Sequence, residues 1–192
     1  MNKLKFFINN ILFKLVRYRE INFLYEIIYF FKNPWNLNNE CEILRYKKIN
    51  EYLLKFNKLN KFESAIEIGS GEGHQSIYLS HIINNLDSIE ISSIATKRAK
   101  EKHLSNINFK NVNLYDYNSN KNYDLVIASE VIYYFIDIEK FIDKIETLGN
   151  AYFISYYYYE NDILKKYFID SKYKKYVYEI NNSKWQFIYW AN

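Results

Sequence analysis

Cysteine and proline occur once each in this chain, as Cys41 and Pro34, and glycine only four times. A lone cysteine excludes an intrachain disulfide, a cysteine-rich zinc site and a three-cysteine iron–sulfur cradle, and it fits a reducing, cytoplasmic compartment. The three histidines, His74, His81 and His103, are scattered and make no metal-ligand constellation. No run approaches the ~18–20 uninterrupted apolar residues of a membrane span. No signal peptide is evident either, because Lys14, Arg17, Arg19, Glu20 and Glu26 break up the apolar opening stretch. A net charge of +4 is too mild for the concentrated basic face expected of a nucleic-acid binder. Aromatics, by contrast, are in excess. The 21 tyrosines stand in an Asn-, Lys- and Ile-rich background, and they read first as packing material.

The apolar positions Phe7, Ile11, Leu15 and Tyr18 recur at helical spacing among Lys5, Lys14 and Arg17. They predict a helix that packs on the domain or, as a basic amphipathic element, touches a membrane surface or a partner. A turn-rich stretch around Pro34 follows, and then a helix over about 39–56. From there strand and helix alternate. "SAIEIG", "LDSIEIS", "NINFKNVNLYD", "YDLVIAS" and "AYFISYYYY" read as strands. "HQSIYLSHII", "SIATKRAKEKHL", "IEKFIDKIETL" and "ENDILKKYF" read as helices. "KYKKYVYEI" and "WQFIYWAN" close the chain as two strands in succession. Alternation implies parallel strands with crossover helices on both faces, and the closing pair implies an antiparallel hairpin at one edge. The predicted architecture is therefore α/β: a Rossmann-like, doubly wound, mostly parallel seven-stranded sheet. Residues 1–38 form a helical cap or leader, and 39–192 the main domain.

Three of the four glycines fall within five positions, in "EIGSGEG" at the end of the first strand. A glycine turn there permits positive φ and lets a ligand reach the main chain. In open parallel sheets ligands sit beyond such strand ends. No Lys follows to make a Walker phosphate loop, and His74 occupies the place where a dinucleotide fingerprint needs its third small residue. The pattern is instead Glu67-x-Gly69-x-Gly71-x-Gly73. Glu90, 17 residues beyond Gly73, ends the second strand, where a carboxylate can accept hydrogen bonds from ribose hydroxyls.

This pattern resembles the first motif of class I S-adenosylmethionine-dependent methyltransferases. The resemblance implies the cofactor S-adenosylmethionine and the product S-adenosylhomocysteine. On it, Glu67, Gly69, Gly71 and Gly73 receive the methionine end, Glu90 the ribose, and Ile91 the adenine face. Asp116 takes the adenine amino group, the Tyr117 backbone N–H the ring nitrogen, and Ser129 faces the methionine end again. "SEVIYYF" at 129–135 and, upstream, "NPWN" and "ECEILRYKKINEYL" resemble the nodulation-protein-S type of N-methyltransferase over about 33–155. Asn33 stands where that family has Asp, and Cys41 where it has Tyr.

The resemblance implies methylation of a nitrogen or oxygen on a small, sugar-derived acceptor. Glu130 follows the fourth strand and is the expected acceptor-orienting group or base, with Tyr133 as a hydrogen-bonding wall. Arg45 is placed to pair with the methionine carboxylate, and Trp35 to lid the pocket or anchor the leader. Two alternatives stay open. "KRAKEK" and "KYKK" are basic enough to keep an RNA methyltransferase in view, and a non-catalytic cofactor-binding subunit is the other alternative, against which the intact motif set argues. The sequence carries neither oligomeric state nor acceptor identity.

Overall fold

In this computed structural model, residues 22–58, 60–158 and 163–191 are described. The helix expected from Phe7 to Tyr18 lies outside them. Seven strands form one sheet: β1 Phe62–Ile68, β2 Ile83–Glu90, β3 Ile107–Asn111, β4 Leu125–Ser129, β5 Ala151–Tyr157, β6 Lys174–Ile180 and β7 Ser183–Ala191. Their spatial order is β3-β2-β1-β4-β5-β7-β6. The first five are parallel, and β7 inserts antiparallel between β5 and β6. Strand order reverses on either side of β1, so β1 and β4 flank the switch point where open α/β sheets place their ligands.

The inner strands are buried on both faces, which is why they read as continuous apolar runs. Along β4, Leu125 and Ile127 enter one core with Phe153 and Phe187. Val126 and Ala128 enter the other with Phe141, Tyr152 and Trp190. The helices are α1 Asn22–Phe30, α2 Glu40–Phe56, the single turn α3 Ser76–Leu79, α4 Ser93–Lys100 and α5 Ile138–Glu146. Three of them begin at residues suited to capping. Asn39, Ser92 and Asp137 each accept a hydrogen bond from a backbone N–H three residues on.

The structure corrects four expected boundaries. The helix read from His74 to Ile83 is only α3, because β2 starts at Ile83 and the Asn106 amide donates to the carbonyls of Ser80 and Ile83. The second strand accordingly begins three residues before "LDSIEIS". The third strand stops at Asn111 instead of running to Asp116. The helix read over "ENDILKKYF" is, in its described part, a 3₁₀ segment over Ile163–Phe168.

The leader is fastened at both ends of α4. The Glu26 carboxylate accepts from Ser92 Oγ, Ser93 N and Ile94 N, placing a negative charge at that helix's N-terminus. Arg98 donates to the carbonyls of Tyr29, Phe30 and Phe31, which end α1, and to Glu72 at 2.6 Å. Glu72, in the glycine turn, also accepts from Asn33 N at 2.9 and 3.0 Å. Asn33 can present that N–H because it adopts φ +47, a conformation Asn tolerates better than most residues.

Burial raises the Glu72 pKa, but the bonds from His74, Asn33 and Arg98 outweigh it and hold the group at about 2, against an ordinary 4.5. A depressed carboxylate contributes stability above its unfolded pKa and loses it as pH falls through the folded value. Glu72→Gln should therefore lower Tm by several degrees at pH 7, with the gap closing as pH falls from about 4.5 towards 2. A gap constant across that window, in thermal scans, would show that the charge contributes nothing.

Candidate active site

A cavity of about 470 Å³ opens at the carboxyl ends of β1, β2 and β4, within the range of ordinary small-ligand sites. Its floor is the glycine turn. Gly69, Gly71 and Gly73 all have positive φ, at +71°, +54° and +73°. A Cβ on Gly69 would overlap Val131 Cγ1, and one on Gly71 would lie 2.7 Å from the Tyr29 hydroxyl. Gly69 and Gly71 line the cavity. Gly73 does not: a Cβ there would meet Phe109 and Ala99, so this glycine serves helix–sheet packing.

Two carboxylates stand at the strand ends. Glu67 is buried and accepts from Ser76 Oγ at 2.6 Å and Ser88 Oγ at 2.9 Å. Burial dominates and pushes its pKa up to about 7. Glu90 Oε2 accepts from Gly71 N at 2.8 Å and Oε1 from Ser92 N, so the carboxylate shapes the glycine turn while bordering the cavity. Burial raises its pKa as well, in part offset by those two N–H groups. An ionised carboxylate has about four acceptor positions, so capacity remains for a ligand beside these N–H groups.

Ile91, Val112, Leu114 and Tyr115 continue the wall beyond Glu90. Asp116 and Tyr117 do not take part. The turn after β3 is closed by Tyr115 N donating to Asn113 Oδ1, Asp116 N to Asn113 O and Tyr117 N to Leu114 O. This winding leaves the Asp116 side chain exposed and the Tyr117 N–H already bonded. Asn113, a residue suited to such turns, was the available signal.

At the end of β4 the Ser129 hydroxyl accepts from Gln75 Nε2 at 2.9 Å. Glu130 follows with φ +58, a strained conformation for a non-glycine residue. Its Oε2 accepts from the Tyr133 hydroxyl at 3.0 Å; Oε1 is buried without a hydrogen bond among the described residues. Burial pushes the Glu130 pKa up to about 7, against the opposing pull of Arg45. Burial and the Glu130 charge hold the Tyr133 phenol well above its usual range. Arg45, 2% exposed, gives Nε and Nη2 to Glu42 Oε2 at 3.0 and 2.6 Å. Its Nη1 lies 4.0 Å from Glu130 Oε1. The guanidinium thus borders the cavity with Nε and Nη2 paired to Glu42 and Nη1 3.5 Å from Ser155 Oγ.

Sequence reasoning missed the aromatic roof. Tyr25 and Tyr29, four apart on α1, line the cavity with Trp35 and Tyr134. Trp35, for which the sequence left open a lid or an anchor of the leader, is part of the cavity lining. His74 sits outside the lining, within 3.4 Å of Glu72. Among the described residues no group of His, Cys, Asp and Glu could hold a metal ion, and no helix is long and apolar enough to cross a membrane.

The residues present fit S-adenosylmethionine. A left-handed glycine cradle that side chains would fill, the buried Ser70 Oγ without a partner among the described residues, and a carboxylate beside an apolar wall match an amino acid joined to a nucleoside. Solved structures share the fold. N-methyltransferase NodS from Bradyrhizobium japonicum WM9, in complex with S-adenosylhomocysteine, superimposes with a TM-score of 0.71 at 16% identity, over 87% of this chain and 95% of that one. Magnesium protoporphyrin IX methyltransferase from Synechocystis PCC 6803, with bound S-adenosylmethionine, gives 0.63 at 16% identity over 78% of each chain. A methyltransferase from Aquifex aeolicus gives 0.57 at 15% identity, over 76% and 96%. No curated protein sequence matches. The family model for nodulation protein S matches residues 23–152, a span that runs from the aromatic roof through the glycine turn to the strand that precedes Glu130 and beyond. The chain belongs to the nodulation protein S family, and is a class I S-adenosylmethionine-dependent methyltransferase.

Proposed function

We propose that the protein methylates the nitrogen of a small amine, with an amino-sugar as the acceptor class, and that Glu130 takes up the proton that the nitrogen must lose. The observation that carries this reading is the Glu130 carboxylate itself: partly buried, held by the Tyr133 hydroxyl, and lining the same cavity as the glycine cradle. S-adenosylmethionine, when bound, supplies a sulfonium-activated methyl group. Gly69, Ser70 and Gly71 hold its amino-acid end by backbone approach, Glu90 its ribose, and Ile91, Val112 and Leu114 its base. Residues 22–38 act as the cap, through Tyr25, Tyr29 and Trp35.

The chain's own contribution to the chemistry is positioning, dryness and a proton acceptor. A carboxylate with a pKa of about 7 is matched to an amine at neutral pH and is a poor base for a sugar hydroxyl, which favours nitrogen over oxygen. Tyr133 fixes the carboxylate by donating to Oε2, while Oε1 is inaccessible and lies 4.0 Å from Arg45 Nη1. The tyrosine rings offer faces that attract an ammonium before it is deprotonated.

The test is methyl transfer from labelled cofactor into amino-sugars, sugar hydroxyls and RNA. Incorporation into amines alone is expected. Incorporation confined to hydroxyls or RNA would overturn the acceptor reading, and S-adenosylhomocysteine binding without transfer to any of them would favour a non-catalytic subunit.

A further inference from the structure

The sheet ends on one side at β6, and among the described residues no further strand lies beside it. Of the devices that blunt such edges it has only charge: its seven residues run without proline, glycine or a bulge, in unbroken register with β7. The turn between the two strands is Asn181 and Asn182, at φ +47 and +64, both positive as a type I′ hairpin requires. Such a turn is closed by a hydrogen-bonded pair, here Ile180 with Ser183, and bonded and non-bonded pairs then alternate along the ladder. Ile180, Tyr178, Tyr176 and Lys174 therefore direct their backbone groups at β7. The N–H and C=O groups of Lys175, Val177 and Glu179 point outward, and no turn, loop or side chain among the described residues bonds them.

The sequence of that edge is self-complementary. Lys175-Tyr176-Val177-Tyr178-Glu179 reads alike in both directions, except that its ends carry opposite charges. An antiparallel pairing of two identical strands about a two-fold axis at Val177 needs this pattern. The outward-facing residues then meet one another: Val177 faces its own copy, and each Lys175 faces Glu179 of the other chain. Each facing pair exchanges main-chain hydrogen bonds, and each Tyr176 comes opposite a Tyr178. Tyr176 is 41% exposed and Val177 44%, so both have surface to bury. Lys175 is exposed and in no ion pair among the described residues, and Glu179 pairs with the exposed Lys184 at 3.4 Å. Registers centred on Tyr176 or Tyr178 lose both intermolecular ion pairs. The opposite edge, β3, has no such symmetry, because a pairing centred on Phe109 sets Asn108 against Lys110. An extended segment of an unrelated protein would use the same backbone groups but would leave the inverted charges without a role.

We infer that β6 is the interface of a homodimer, paired antiparallel with β6 of a second copy and with Val177 on the two-fold axis, so that one sheet runs through both subunits. The inference is independent of the acceptor and of the cofactor. Sedimentation equilibrium of the full-length protein should show a concentration-dependent monomer–dimer equilibrium. Lys175→Glu and Glu179→Lys, each alone, set like charges opposite one another and should weaken the dimer by about ten-fold or more. An equimolar mixture of the two variants should form a heterodimer of near-native affinity, because each supplies the charge that the other lacks. Val177→Pro removes an outward N–H without touching the bonds to β7, and should abolish dimers. S-adenosylhomocysteine affinity should hold in all three variants, since none of these residues lines the cavity. A protein that stays monomeric at its highest soluble concentration would overturn the proposal. So would dimers indifferent to both charge reversals, or single variants whose mixture stays dissociated.

Discussion

Glu130→Gln should reduce kcat/KM by about 10²–10⁴-fold, the range for losing a positioned general base, while S-adenosylhomocysteine affinity stays within a few-fold. The amide keeps the shape and the Tyr133 contact but cannot take a proton. The pH profile sharpens the test. With the folded pKa at about 7, the native enzyme should gain activity as pH rises through 7 and the carboxylate ionises. Glu67 titrates in the same region and borders the same cavity, so the rising limb alone does not assign the group. Glu130→Gln must abolish the limb and Glu67→Gln must leave it. A limb that survives in Glu130→Gln would remove Glu130 from the role of base. Stability moves the other way. Both carboxyls are raised above their unfolded 4.5, so each costs stability progressively as pH rises from about 4.5 to 7.

The second large effect is expected at the glycine turn, where two glycines separate affinity from stability. Gly71→Val places a β-branched residue at φ +54, a conformation costing roughly 1–2 kcal/mol even without a clash. Its Cβ would also lie 2.7 Å from the Tyr29 hydroxyl, at the edge of the cavity. Calorimetry should show S-adenosylhomocysteine binding weakened by at least a hundred-fold. Gly73→Ala meets Phe109 Cζ at 3.1 Å and the Ala99 Cβ at 3.2 Å, on the packed side. It should lower Tm by several degrees and leave the affinity of the folded protein within a few-fold. Equal losses of affinity in the two variants would contradict the division of labour drawn from the cavity lining.

The sheet was legible because its inner strands are short apolar runs ending in turn residues, and parallel alternation leaves few topologies. The same logic brought Glu67, Gly69, Gly71, Glu90, Ile91, Ser129 and Glu130 to one place, although they span 64 positions of chain. Side chains that depend on local winding were not legible. Asp116 fits a motif by spacing, yet the Asn113 turn rotates it outward. Arg45 sits beside the cavity, but its partner Glu42 is three positions away on the same helix, and only the rotamers show that they pair. The Tyr25–Tyr29 spacing was visible, but among 21 tyrosines nothing in the sequence marked these two as roof rather than core.

The pairing at Arg45 also determines how an acceptor is captured. Glu42, Arg45 and Glu130 together carry one negative charge when both carboxylates are ionised, and they lie in a body, residues 22–192, that is neutral in sum with them included. Such a body has no far-reaching field with which to draw a cation from solution. An amine therefore arrives by unguided diffusion and is sorted only after entry, so its association rate should be nearly independent of ionic strength and discrimination should reside in how long it stays.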